Sequence, residues 1–219
     1  VAWAGADASE VLVLGGYHRS GTGKSLQRTG LVHPIWWDPT KNTIRAAAKP
    51  APFARIGQGQ GWSDSRGLCI AGGLHYDLAP EAAGPARVRP LTDAWCSKDG
   101  EWSLVSQTVA PFAFGFSAID HVVDRMVLAG GYLLSKQTPV EEVWRLWEAQ
   151  PNKHLSFKPD STASAKPAVT DAVYIIDLKT NNGETAQTTG PKLAAGTSVY
   201  DRMRRRLIGY GGFDDKSAT

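Results

Sequence analysis

Short apolar runs that end in a pair of glycines punctuate this chain. They are Val11-Leu12-Val13-Leu14-Gly15-Gly16, Gly67-Leu68-Cys69-Ile70-Ala71-Gly72-Gly73, Arg125-Met126-Val127-Leu128-Ala129-Gly130-Gly131 and Arg206-Leu207-Ile208-Gly209-Tyr210-Gly211-Gly212. From second glycine to second glycine the steps are 73−16 = 57, 131−73 = 58 and 212−131 = 81 residues. Self-similarity at about fifty residues is the mark of a propeller or another repeat array. Four to six mostly apolar residues without alternation predict a strand buried on both faces, since a buried helix of that length would be too short. The glycines let the strand end in conformations closed to other residues and let a neighbouring backbone come close.

Two further signatures recur in the same order. An aromatic or β-branched run closing in Asp, Asn or Gly appears as Ile35-Trp36-Trp37-Asp38, Asp93-Ala94-Trp95-Cys96 and Val173-Tyr174-Ile175-Ile176-Asp177. Each predicts a strand and a tight hairpin, with return strands over Thr43 to Ala47, Glu101 to Val105 and Glu184 to Gln187. Prolines at Pro52, Pro111 and Pro191 then precede the first glycine of the next pair by 20, 19 and 20 residues. That interval holds one more strand and a polar turn. The unit is therefore four consecutive antiparallel strands: an inner strand, the Gly-Gly strand, the aromatic strand and an outer strand.

In these marks the chain resembles the kelch repeat, with its double glycine, its later aromatic before an Asp-rich turn, and its Pro-x-x-Arg entry to the next blade. The glycine pairs stand in all four copies. The entry arginine is present only as Arg55, with Phe114 and Ala195 in the aligned places, and the outer-strand tryptophan only as Trp102. The resemblance implies an all-β, kelch-type β-propeller over residues 1–219, about three blades of four-stranded antiparallel sheets. Because closed propellers have roughly four to eight blades, the remaining blades are expected from further sequence or from another copy.

Composition narrows the function classes only a little. Of 219 residues 42% are hydrophobic, enough for one sizeable core, and 24 basic against 21 acidic residues give a net charge of +3. Such balance predicts neither a nucleic-acid nor a membrane-surface partner. No run of about eighteen apolar residues is present to span a membrane. Two cysteines are too few for a disulfide framework, and whether Cys69 and Cys96 pair is open, as is the compartment.

Alternating strand direction puts the long connections Tyr17 to Val32, Leu74 to Thr92 and Tyr132 to Thr170 on one face and the short turns on the other. Insertions gathered on one face of an array mark it as the binding face. The third connection, residues 133–170, carries a capping box at Thr138-Pro139-Val140-Glu141 and predicts a short helix over about 139–149 bearing Trp144 and Trp147. Candidate contact residues on this face are His18, Arg19, Arg28, Arg55, His75, Tyr76, Asp77, Tyr132, Trp144 and Trp147. Arginines in that set suit a carboxylate-bearing ligand.

The expectation is thus a binding module without cofactor that offers the long-loop face to a protein or glycan. The alternative is an enzyme similar to the kelch-type sialic-acid mutarotases, with Arg19, Arg55, His75 and Asp77 in clamp and proton-transfer roles. Ser20 to Ser25 imitates a phosphate-binding loop but lacks the first glycine, where His18 stands, and leads toward Gly30 and Pro34 rather than a helix. His18 and His75 share a position two residues beyond the glycines, yet no His spacing predicts a metal site. The run Arg202 to Arg206 falls in a short turn on the opposite face.

Overall fold

The computed structural model describes residues 2–4, 10–20, 27–30, 32–52, 54–77, 87–107, 109, 112–133, 168–186 and 189–214; residues 2–4, 17–20, 27–30, 76–77 and 87–89 are described through their backbone alone. The protein is all-β, and no helix occurs among the described residues. The helix expected over 139–149 lies outside them.

Three four-stranded antiparallel sheets and one two-stranded sheet follow one another along the chain. The first comprises Ala2–Ala4, Val11–Val13, Ile35–Asp38 and Thr43–Ala46; the second Gly59–Ser63, Gly67–Ala71, Ala94–Lys98 and Glu101–Ser106. The third comprises Phe116–Asp120, Arg125–Ala129, Val173–Asp177 and Asn182–Thr185, and the fourth Thr197–Asp201 and Arg206–Tyr210. In each, the strands lie in chain order, as the hydrophobic pattern requires. The sequence pattern placed the opening of the chain at a Gly-Gly strand; Ala2–Ala4 in fact supplies an inner strand ahead of it, so three sheets are complete. Three residues without a turn signal are too short a run to be read as a strand.

Both glycines of every pair adopt positive φ, from +61° at Gly72 to +96° at Gly16. At most of them a side chain would also collide with backbone: a Cβ on Gly130 would stand 2.6 Å from the Leu193 carbonyl oxygen, and one on Gly131 2.6 Å from that of Ala113, while Gly16 and Gly211 have open space. The close approaches come from the crossovers on either side of the sheet, and the one into the next sheet accepts a hydrogen bond from the second glycine: Gly16 to Arg55 (3.3 Å), Gly73 to Phe112 (2.7 Å), Gly131 to Leu193 (2.8 Å). These bonds set the crossover alignment and correct the sequence register. Phe112 and Leu193, rather than Phe114 and Ala195, stand where Arg55 does. Phe114 and Ala195 match Gly57 instead, and all three have φ near +60°.

Apolar layers separate consecutive sheets. Leu12, Leu14, Leu68 and Ile70 form the first with Trp36, Trp62, Trp95 and Trp102 packed around them. Cys69, Ala71, Cys96, Met126, Leu128 and Ile176 lie in the second, where Cys69 and Cys96, paired in register across two strands, form a disulfide. Between inner strands the contact is polar. The Ser117 hydroxyl accepts from Gln60 N–H (2.9 Å) and donates to Gln60 C=O (3.0 Å), and Ser198 repeats this on Ser117 (3.0 and 2.9 Å).

Aspartates that end strands organise the short turns. The Asp38 carboxylate accepts from the Thr40 hydroxyl (2.7 Å) and from the Thr40 and Lys41 amides, Asp177 from the Lys179 and Thr180 amides, and Asp201 from Arg204 N–H. The Thr40 hydroxyl bond at Asp38, the Thr180 amide at Asp177 and the Arg204 amide at Asp201 hold these carboxyls below their ordinary value of 3.8. A carboxyl more acidic folded than unfolded contributes stability that is complete above the unfolded value and lost as pH falls through the folded one. The urea midpoint is therefore expected to stay level from about pH 7 to 5 and to fall below about pH 4. A midpoint that held or rose on acidification would contradict these turns.

Candidate functional site

The three long connections leave their Gly-Gly strands as extended arms rather than open loops. Tyr17–Ser20 pairs with Gln27–Gly30, Leu74–Asp77 with Arg87–Pro90, and Tyr132–Leu133 with Ala168–Val169. The polar, turn-rich composition of these stretches masks the alternation in Leu74-His75-Tyr76-Asp77 that signals a strand. The second and third arms are rooted on the crossover that leads into their own sheet: Leu74 pairs with Ile56 and Tyr132 with Ala113, and the fourth repeat keeps a single bridge, Phe213 to Ala194.

Residues next to the glycines are apolar or aromatic because they bury where arm and crossover meet. Leu74, Tyr132, Ile56, Ala113, Phe114, Val169 and Ala194 form one cluster with Phe213 against it. Phe114 meets the Tyr132 ring edge-on at 6.3 Å. Tyr132, expected on the exposed contact face, is thus buried in the root. The crossovers also bond one another, Phe114 N–H to Gly57 C=O and Ala195 N–H to Phe114 C=O, both at 2.7 Å.

Arg55 is the most fully buried polar side chain of this region, 1% exposed. Its Nη1 donates to the Gly72 carbonyl (3.0 Å) and to Asp93 Oδ1 (3.2 Å), and its Nη2 to Asp93 Oδ2 (3.2 Å). Trp95 Nε1 donates to the same carboxylate at 2.6 Å. Burial lowers the Arg55 pKa and the Asp93 charge opposes that shift. A paired donor fork on a carboxylate is a strong, directional contact, and here it ties the crossover to the start of the aromatic strand. Asp93, Trp95 and the Gly72 carbonyl are the partners the sequence reading missed; an acidic residue directly before an aromatic strand was the available signal.

His75 stands opposite Arg55 in the strand register, with Nδ1 2.8 Å from the Ala54 carbonyl oxygen. The arms put Asp77 across from Arg87, His75 from Arg89, Arg19 from Arg28, and His18 from Thr29. The arm Gln27–Gly30 neighbours Leu74–Asp77, which brings the first two hairpins together. Of the predicted contact residues, Arg55 and His75 are therefore adjacent, and His18, Arg19, Arg28, Tyr76 and Asp77 occupy the arms. Trp144 and Trp147 lie outside the described residues. The strand at Gln27–Gly30 also leaves the segment after Lys24 leading into a hairpin arm, not the helix a phosphate loop needs.

No group of three or more His, Cys, Asp or Glu side chains able to hold a metal occurs among the described residues. The turn side is different in character. Arg202, Arg204, Arg205 and Arg206 pair with Asp64, Asp201, Asp120 and Asp201 in turn. Burial and the neighbouring Arg202 lower the pKa of His121, which sits in this network. Each of these four arginines thus has a carboxylate partner in the surrounding turns, with Asp201 shared by two of them. Compared with known proteins, the chain matches no family model and no curated sequence.

Proposed function

We propose that this chain is a kelch-like propeller segment acting as a non-catalytic binding module, which offers its long-loop face to a protein or glycan. The observation that carries the reading is the common root of the arms. Three paired arms leave Gly-Gly strands; the second and third stand on one buried apolar cluster beside the buried Arg55–Asp93 tie, and the first lies against the second. Rigid roots with variable ends are how repeat arrays build contact surfaces. On the other side the connections are short turns whose arginines are already paired.

Arginines in the first two hairpins, at 19, 28, 87 and 89, favour an acidic ligand, either a carboxylate-bearing sugar or an acidic peptide. The mutarotase alternative asks Arg55 to clamp a substrate, and that guanidinium already holds Asp93 and the Gly72 carbonyl.

The test is amide NMR titration with a sialic acid, a neutral hexose and an acidic peptide, with exchange between sugar anomers followed in the same samples. Shifts confined to the arms, produced by an acidic ligand and without faster anomer exchange, are expected. Accelerated exchange would replace this reading with the enzymatic one, and shifts confined to the short turns would overturn it.

A further inference from the structure

Glycines inside the second sheet answer to a steric demand. A Cβ on Gly59 would stand 2.3 Å from Leu128 Cδ2 and one on Gly61 2.8 Å from Ile119 Cγ1, while Gly67 takes a φ of +74°. Gly183, in the strand Asn182–Thr185 of the third sheet, has neither constraint. Its φ lies outside the left-handed region, and a Cβ there would meet Ser106 Oγ at 3.7 Å and Ile175 O and Ile176 Cγ1 at 3.9 Å, which is ordinary contact. A larger residue would fit, and a strand interior favours one. What sets Gly183 apart is the residue before it, because Asn182–Gly183 is the one Asn-Gly pair in the sequence.

The pair stands where its own atoms can meet. Asn182–Thr185 is the outer strand of its sheet and is exposed along its length. Ala186 N–H donates to the Val173 carbonyl (2.8 Å), so the hydrogen-bonded partners across these two strands are Val173 with Ala186, Ile175 with Glu184 and Asp177 with Asn182. Ile176 and Gly183 fall between them. The Gly183 N–H therefore points away from the neighbouring strand, toward the open edge of the sheet. Among the described residues no hydrogen bond holds the Asn182 carboxamide. The neighbouring Asn181 is tied, its Oδ1 accepting from Arg66 Nη2 at 3.1 Å.

We infer that Asn182–Gly183 is a modification site at which the folded protein converts its own asparagine to aspartate and isoaspartate. The Gly183 nitrogen attacks Asn182 Cγ; the N–Cγ bond forms, the Cγ–Nδ2 bond breaks, and the amide proton leaves with Nδ2 as ammonia. Glycine presents no side chain to crowd that attack, and opening costs least at the end of an edge strand. Water then opens the cyclic imide. Addition at Cγ gives aspartate, and addition at the main-chain carbonyl gives isoaspartate. Either product puts a carboxylate at the position paired with Asp177, whose own carboxylate holds the Lys179 and Thr180 amides and Arg125. Like charges directly opposite one another are destabilising. Isoaspartate also lengthens the main chain, which puts Glu184 out of step with Ile175. The outer strand of the third sheet is thus the element that ageing loosens first.

The site lies on a short hairpin apart from the arms, so its test does not depend on the binding reading. Folded wild-type protein is held in warm, mildly alkaline buffer and digested at intervals for peptide mass spectrometry, with ammonia release assayed alongside. Acid at position 182, divided between aspartate and isoaspartate, is expected to accumulate. Asn42, followed by β-branched Thr43, and Asn181 should keep their amides. Gly183→Ala, whose methyl has room, should slow the conversion about ten-fold, a barrier rise of about 1.4 kcal/mol, with the urea midpoint unchanged. Asn182→Ser should remove the bulk of the ammonia release, which keeps the test decisive if Gly183→Ala does not fold. Conversion confined to urea-unfolded chain, equal conversion at Asn42 or Asn181, an unslowed Gly183→Ala protein, or ammonia release that survives Asn182→Ser would each overturn the inference.

Discussion

Replacing Arg55 by methionine is expected to cost about 3–5 kcal/mol of stability, read as a lower urea midpoint with an unchanged slope. Methionine refills much of the volume, so the loss isolates the polar contacts. Without the guanidinium, the Gly72 carbonyl loses a donor, and Asp93, whose side chain is 15% exposed, keeps the Trp95 indole but no cation. Removing one partner of a buried pair is far more damaging than removing both. The double variant Arg55→Met with Asp93→Asn should therefore recover part of the loss. The comparison also separates two roles for the arginine. A ligand clamp would leave the urea midpoint close to the wild-type value and remove only binding, and that outcome would contradict the structural tie.

The second large effect concerns the disulfide. Cys69 and Cys96 are 27 residues apart in sequence and joined inside the layer between the second and third sheets. Closing a loop of that length restricts the unfolded chain by about 3.5 kcal/mol on the loop-entropy scale. The Cys69→Ala, Cys96→Ala protein is expected to lose stability of that order, and the loss should appear equally in wild type unfolded with and without reductant. Denatured, unreduced protein from an oxidising expression compartment should show no reactive thiol. Two thiols titrating there would refute the bond. The pairing fits folding in an oxidising compartment, where such bonds persist.

The four-strand repeat was legible because buried strands need unbroken apolar runs and because both glycines of each pair take backbone angles that other residues resist. Val11–Val13, Gly67–Ala71, Arg125–Ala129 and Arg206–Tyr210 could be placed from those two constraints alone. The arms were not legible. Residues such as His75 and Arg87 look like loop composition, and their pairing depends on a crossover some twenty residues away in sequence. The register of that crossover was misread for the same reason: proline spacing locates the segment, but the hydrogen bonds from Gly73 and Gly131 decide which residue faces the glycine. Arg55 was singled out for its chemistry, while its true partners required knowing that Asp93 comes alongside. Tyr132 beside Gly131 looked like part of a contact surface, and only the three-dimensional root shows why an aromatic belongs there. The turn-side arginines were placed in a short turn, but their ion pairs were not legible, because the carboxylates Asp64, Asp120 and Asp201 come from three different turns.

The serine bonds between inner strands carry a consequence for mechanics. Apolar layers hold sheets together but resist sliding poorly, because one methyl contact can replace another at little cost. Ser117 and Ser198 each grip both the amide and the carbonyl of one residue in the neighbouring inner strand. A shift of one sheet along its strands would break both bonds at once. The hydroxyls thus index the sheets against one another like teeth in a gear, so that a pull on one hairpin would turn its sheet and the next one together.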